Sequence, residues 1–166
     1  MKVLKIASIL LISFFFSCVS DKEEGVLISD ETVYNLVKTS SLSFFKKSSD
    51  TLQVDPASPH GSFIRVLMNP KAQSVMNDSL NALIQSSFPD ESLIVKEVYN
   101  TKGGALQNYA VMYKFKGALN NGSGWIWNEL EPDGKVIYSA GKKGDQCTSC
   151  HSEGTNADLV RTFALH

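Results

Sequence analysis

Cys147-Thr148-Ser149-Cys150-His151 constrains this chain more than any other stretch. Two thiols with a two-residue gap, followed at once by an imidazole, have the spacing of a c-type haem attachment site. Each thiol of such a pair adds across one haem vinyl group, and the adjacent histidine is then held beneath the iron as an axial ligand. The chain has 3 cysteines in 166 residues, and the third, Cys18, lies far from the pair. That leaves no thiol for a wider disulfide framework.

Three other chemistries use similar spacings. A thioredoxin-like pair needs a helix start after a buried strand in a βαβ unit. Here the pair follows the loop Gly141-Lys142-Lys143-Gly144. A structural zinc site needs four ligands, and the only other histidines are His60 and His166. A disulfide between Cys147 and Cys150 would close a very small ring and add little. Covalent haem c, one per chain, is the reading these comparisons favour.

The N-terminal segment has the features of an export signal. Lys2 and Lys5 precede an apolar run over residues 6–16, too short for a membrane span of about 20 residues. Phe15-Phe16-Ser17-Cys18 resembles a bacterial lipobox, which implies a signal peptide over 1–17 and lipidation of Cys18. Residues 18–30 then read as lipidated cysteine and flexible tether, and 31–166 as a single haem domain. The charged run Val19 to Gly25 also resembles an export signal of surface lipoproteins. The expected location is therefore the bacterial envelope, on the periplasmic face or the cell surface of the outer membrane. Export also matches the compartment in which bacterial c-type haem is attached. Without Lys2 and Lys5 the mature chain carries about −3. That argues against a nucleic-acid partner, which selects a basic face.

The domain predicts an α+β plan, a mostly antiparallel β-meander with two N-terminal helices and the C-terminal CxxCH segment. Ser29-Asp30 caps a helix through Val33, Leu36 and Val37 towards Phe44 and Phe45. Residues 63–68 read as a strand. Asn69-Pro70 starts a second helix with Val75, Met76, Leu80, Leu83 and Ile84 on one face, ended by Pro89. The period then becomes two. Leu93, Val95 and Glu97 point one way, and Ile94, Lys96 and Val98 the other. A turn at 101–104, a return strand through Tyr109 to Phe115, and strands at 125–130 and 136–139 complete the meander.

Read in order, His60-Gly61-Ser62-Phe63-Ile64-Arg65-Val66-Leu67-Met68-Asn69, Phe88-Pro89-Asp90, Ile94-Val95-Lys96-Glu97-Val98-Tyr99, Ala110-Val111-Met112-Tyr113, Gly124-Trp125-Ile126-Trp127 and the terminal CxxCH resemble the cytochrome P-460 family, which includes the β-sheet cytochromes c′. The resemblance spans roughly residues 59–163. It implies an antiparallel sheet carrying one c-type haem, often as a homodimer, with His151 as the proximal iron ligand. Members of one branch carry a lysine cross-linked to the haem and oxidise hydroxylamine. Members of the other lack it and bind nitric oxide. The implied partners are a small nitrogen-oxide ligand or substrate, a redox protein, and the membrane through the lipid anchor.

Several residues are candidates beside the motif. Lys96, a charge in mid-strand, is the first lysine to test for a cross-link; the alternative is a solvated face or a cross-strand acid. His60 is a candidate sixth ligand, which would make the protein a six-coordinate electron carrier, or else an ordinary loop histidine. Arg65 reaches a haem propionate or an internal carboxylate. Glu129 is a candidate proton relay on the face of Trp125 and Trp127, or a surface strand residue. Phe63, Met68 and Met112 are core residues that could line a distal pocket. Lys142 and Lys143 lie near the propionates or in water.

Overall fold

A computed structural model describes residues 25–45, 48–54, 58–79, 82–153 and 156–161. The signal segment, Cys18 and most of the tether lie outside the described residues, as do Leu80 and His166.

Helix α1 runs Asp30–Thr39. Ser29 Oγ accepts from Thr32 N at 3.1 Å, and Asp30 and Glu31 set negative charge against the positive end of the helix dipole. The helix stops well short of Phe44. Thr39 turns its hydroxyl back onto the Asn35 carbonyl at 2.7 Å, and Ser40 takes an extended backbone while its N–H bonds Leu36 O. A Thr-Ser-Ser run competes with its own backbone and does not propagate a helix. Phe44 instead lies in a short strand, β1 (Ser43–Phe44).

After β2 (Leu52–Gln53), strand β3 covers Phe63–Met68, as the alternation predicts. Helix α2 (Pro70–Gln73) is a single turn. Asn69 Oδ1 caps it, accepting from Ala72 N at 2.9 Å. The predicted second long helix is not formed. Met76 instead pairs with Leu83, and Asn77 N donates to Ala82 O at 2.9 Å, closing a loop over Asn77-Asp78-Ser79. Those three residues favour turns over helix interiors, and Ile84 is left 65% exposed.

Strands β4 (Leu93–Tyr99), β5 (Leu106–Lys114), β6 (Trp125–Leu130) and β7 (Val136–Tyr138) follow. The sheet is antiparallel in the order β1-β3-β4-β5-β6-β7, with β2 also beside β3. Side-chain alternation sorts it into two faces. Leu93, Val95, Val111, Ile126 and Leu130 pack with Val33 and Val37 of α1. Ile64, Val66, Met68, Ile94, Met112, Trp125 and Trp127 form the other cluster, with Phe88 and Val160. Each such aliphatic side chain stabilises the fold by about 1.5–3 kcal/mol relative to exposure. Both faces of the central strands are therefore covered, and the second face carries the cleft.

Candidate functional site

The motif is delivered to the sheet by a tight turn. Ser139 caps a 3-10 turn over Ala140–Lys142, and Lys143 and Gly144 then adopt φ of 55° and 70°. Gly144 lies so close to Trp127 of β6 that a Cβ there would fall 2.6 Å from Nε1, 2.7 Å from Cγ and closer still to Cδ1. Glycine is thus required both for the left-handed backbone and for the approach. The Gly144 carbonyl accepts from Cys147 N at 3.0 Å and Thr148 N at 2.9 Å, starting the single turn α3 (Thr148–His151).

That turn seats the His151 ring edge-on against Trp127, 4.8 Å between centroids. Its Nδ1 lies 2.7 Å from the Leu159 carbonyl, so Nδ1 carries the proton and donates, and Nε2 keeps its lone pair. Burial pushes the imidazole pKa down to about 4, with the Leu159 bond opposing the shift. His151 is therefore neutral at pH 7, the state that binds a metal. Cys147 and Cys150 are unpaired and half-buried. Burial pushes the Cys147 thiol up to about 11, opposite to the depression that activates a thioredoxin-like thiolate. Among the described residues no group of three or more His, Cys, Asp or Glu side chains is placed to hold a metal ion.

These residues border a cleft on the Trp127 face. A small inner recess of about 40 Å³, lined by Val66, Ile94, Met112 and Trp127, adjoins a wider groove of about 580 Å³. His60, Lys96, Glu129, Cys147, His151 and Arg161 line both parts. Sheet register explains the polar members. Val66 pairs with Lys96, Lys96 with Ala110, Ala110 with Glu129, and Glu129 with Tyr138, so one rung crosses the cleft floor. Ala110, the small residue in that rung, separates the ammonium and the carboxylate. Burial pushes Lys96 down to about 8, and the Glu129 charge opposes it. His60 Nδ1 lies 3.2 Å from Glu129 Oε1, at an angle that makes no hydrogen bond, and is buried without another partner. The His60 and His151 rings stand edge to face at 6.2 Å. Arg161 Nη1 donates to the Cys150 carbonyl at 3.1 Å and to its sulfur at 2.6 Å.

A family model, Cytochrome P460, matches residues 42–162, which includes every residue of this cleft. The chain belongs to the cytochrome P460 family. It is accordingly a haem cytochrome of that family. No curated protein matches the chain.

The donor set of this cytochrome P460 chain fits a haem. An apolar recess, two free thiols one helical turn apart and a neutral imidazole with a free nitrogen meet at one wall. The orphaned His60 Nδ1 on the same cleft is a buried polar atom awaiting a partner.

Of the residues singled out from sequence, Lys96, Glu129, His60, Cys147, Cys150 and His151 converge here. Arg65 does not. It lies on the α1 face, where Nε donates to Glu97 Oε2 at 2.8 Å and Nη2 to the Tyr99 hydroxyl, with its guanidinium over the Phe44 and Tyr99 rings. Odd positions of β3 face away from the cleft, and the internal carboxylate of Glu97 is its partner. Phe63 shares that parity. Met112 lines the recess, and Met68 packs in the core beneath the same face. Lys142 reaches the groove, its ammonium 5.2 Å from the Tyr138 ring centroid. Trp125 and Trp127 are core residues, 0% and 2% exposed. Sequence reasoning missed Arg161, which stands outside any motif, and Ala110, whose signal is a small residue in a strand of large ones.

Proposed function

We propose that this cytochrome holds one covalent haem c, with Cys147 and Cys150 as thioether donors and His151 as proximal ligand. It acts on a small nitrogen oxide at the opposite face, by hydroxylamine oxidation or nitric oxide binding. Iron in such a group supplies ligand binding and one-electron transfer. The observation that carries the reading is the His151 imidazole, tied at Nδ1 to Leu159 O and presenting Nε2 beside two free thiols. Lys96 and Glu129, on one rung with Ala110 between them, offer an amine and a carboxylate inside the cleft. Lys96 is the residue to test for a haem cross-link, and Glu129 the residue to test for proton transfer.

Purification from a host with c-type maturation machinery tests this directly. Mass spectrometry should report haem, and lipid on Cys18. A Lys96 adduct with a red-shifted Soret band and hydroxylamine turnover identifies the enzyme, and Lys96→Met should abolish the adduct. A five-coordinate spectrum without the adduct identifies a gas-binding protein. A colourless product with the mass of the bare peptide plus lipid refutes the haem c assignment.

A second reading rests on the 6.2 Å separation of the His60 and His151 rings. Two imidazoles facing one cleft also suit a six-coordinate carrier that passes electrons to another envelope protein. A low-spin spectrum that becomes high-spin in His60→Ala supports the carrier; an unchanged spectrum removes it. The lipid anchor at Cys18, an outer-membrane location and a homodimer belong to the same proposal. Palmitate labelling, fractionation and sedimentation test them in turn.

A further inference from the structure

The carbonyl that holds His151 sits in an unusual turn. Val160 N donates to Ala157 O at 2.9 Å, and the two central residues, Asp158 and Leu159, have φ of 51° and 67°. Such a turn needs positive φ at both positions and ordinarily takes glycine or asparagine. Aspartate tolerates it, whereas leucine there is a conformational outlier. Leu159 packs its side chain on the Trp127-face cluster while its carbonyl points to His151. A strained residue persists only where its surroundings over-determine it.

Asp158 supplies that determination. Its Oδ1 accepts from Lys114 Nζ at 2.8 Å, its Oδ2 from Phe88 N at 2.8 Å, and its carbonyl from Trp125 Nε1 at 3.0 Å. The Lys114 side chain is 3% exposed and that of Asp158 13%. The ammonium also lies 4.7 Å from the Trp125 ring centroid, and Phe88 packs edge-on to the same indole at 5.6 Å. The end of β5, the start of β6 and the Phe88 segment thus grip one residue, next to the one that bonds His151.

We propose that Lys114 and Asp158 are positioning residues for the axial histidine: their buried ion pair locks the 157–160 turn so that the Leu159 carbonyl polarises Nδ1–H and strengthens electron donation from Nε2. The inference rests on the haem reading above. A partner on the far nitrogen raises ligand basicity, and losing one typically costs 10–100-fold at a metal. A more basic imidazole favours ferric over ferrous iron, so releasing the turn should raise the midpoint potential.

The experiment is a redox titration of the intact haem protein and its Asp158→Ala variant, with Val33→Ala as a control. Val33 is fully buried on the other face, so its truncation lowers stability without touching the turn. Asp158→Ala should shift the ferric–ferrous equilibrium on the order of tenfold towards ferrous, about 59 mV upward for one electron. Val33→Ala should leave it in place. Lys114→Met/Asp158→Asn removes both charges while keeping a residue that tolerates the left-handed backbone, and should move the potential the same way. Unmoved potentials in a coloured protein overturn the inference. Failure of both variants to take haem also overturns it, since the pair would then serve folding alone. A colourless wild type would instead refute the haem reading, and this inference with it.

Discussion

Gly144→Ala measures how tightly the CxxCH segment is pressed against the sheet. Gly144 has φ of 70°, and a Cβ there would penetrate the Trp127 indole, with Nε1 at 2.6 Å. Alanine in the left-handed region costs roughly 1–2 kcal/mol, and overpacking a rigid neighbour adds roughly 1–3 kcal/mol. Trp127 cannot yield cheaply, because it is 2% exposed and its Nε1 donates to Gly122 O at 3.0 Å. Gly103→Ala isolates the first contribution. Gly103 has φ of 71° with nothing within 4 Å of the added atom. Thermal unfolding of the purified haem protein should place Gly144→Ala below wild type by about 2–5 kcal/mol, at about 2–4 °C per kcal/mol. Gly103→Ala should lose only the conformational part. Trp127 also backs His151 at 4.8 Å, so the Soret band should shift in Gly144→Ala alone. Equal melting temperatures and identical spectra for the two variants would refute the packing argument.

Other outcomes follow from the same geometry. Arg65→Met should leave haem content unchanged and cost about 1–3 kcal/mol, because Glu97 is left partly buried without its charged donor; a pyridine haemochrome assay and a melt check both halves. Burial and the bond to Glu97 push Tyr99 up to about 12. The folded state therefore keeps a phenol proton that the unfolded chain gives up near pH 10. Stability from this group is present below pH 10 and lost as pH rises towards 12, so Tyr99→Phe should flatten the alkaline fall in melting temperature. Asp30→Ala should loosen α1 from the β6–β7 end, since Asp30 accepts from Asn128 Nδ2 at 2.6 Å, Ser139 Oγ at 2.9 Å and Ala140 N at 2.7 Å. Hydrogen exchange should rise first in residues 29–40.

Much of the fold was legible in the residues themselves. Strands at 63–68 and 125–130 match the observed limits, because branched and aromatic side chains alternating across a pleat have few other homes. The second long helix does not form although the apolar spacing of Val75, Met76 and Leu83 is helical, because Asn77-Asp78-Ser79 closes a turn between them. Spacing reports which side chains share a face if the element forms; it does not report whether local hydrogen-bonding residues let it form. Parity correctly separated Lys96 from Glu97 and grouped Trp127 with Glu129. Which face would carry the cleft depended on where α1 packed, and no strand residue encodes that.

The chain by itself determined the local donor set, because two thiols and an imidazole within five residues meet through covalent geometry and one helical turn. It also determined the alternation that builds the sheet. Tertiary structure alone decided that Arg65 faces away from the cleft and Arg161 lines it, that Lys114 is buried beneath Asp158, and that a carbonyl eight residues past His151 fixes its proton. The Arg65–Glu97 and Lys114–Asp158 contacts join residues 32 and 44 positions apart, so only tertiary packing brings them within hydrogen-bonding distance.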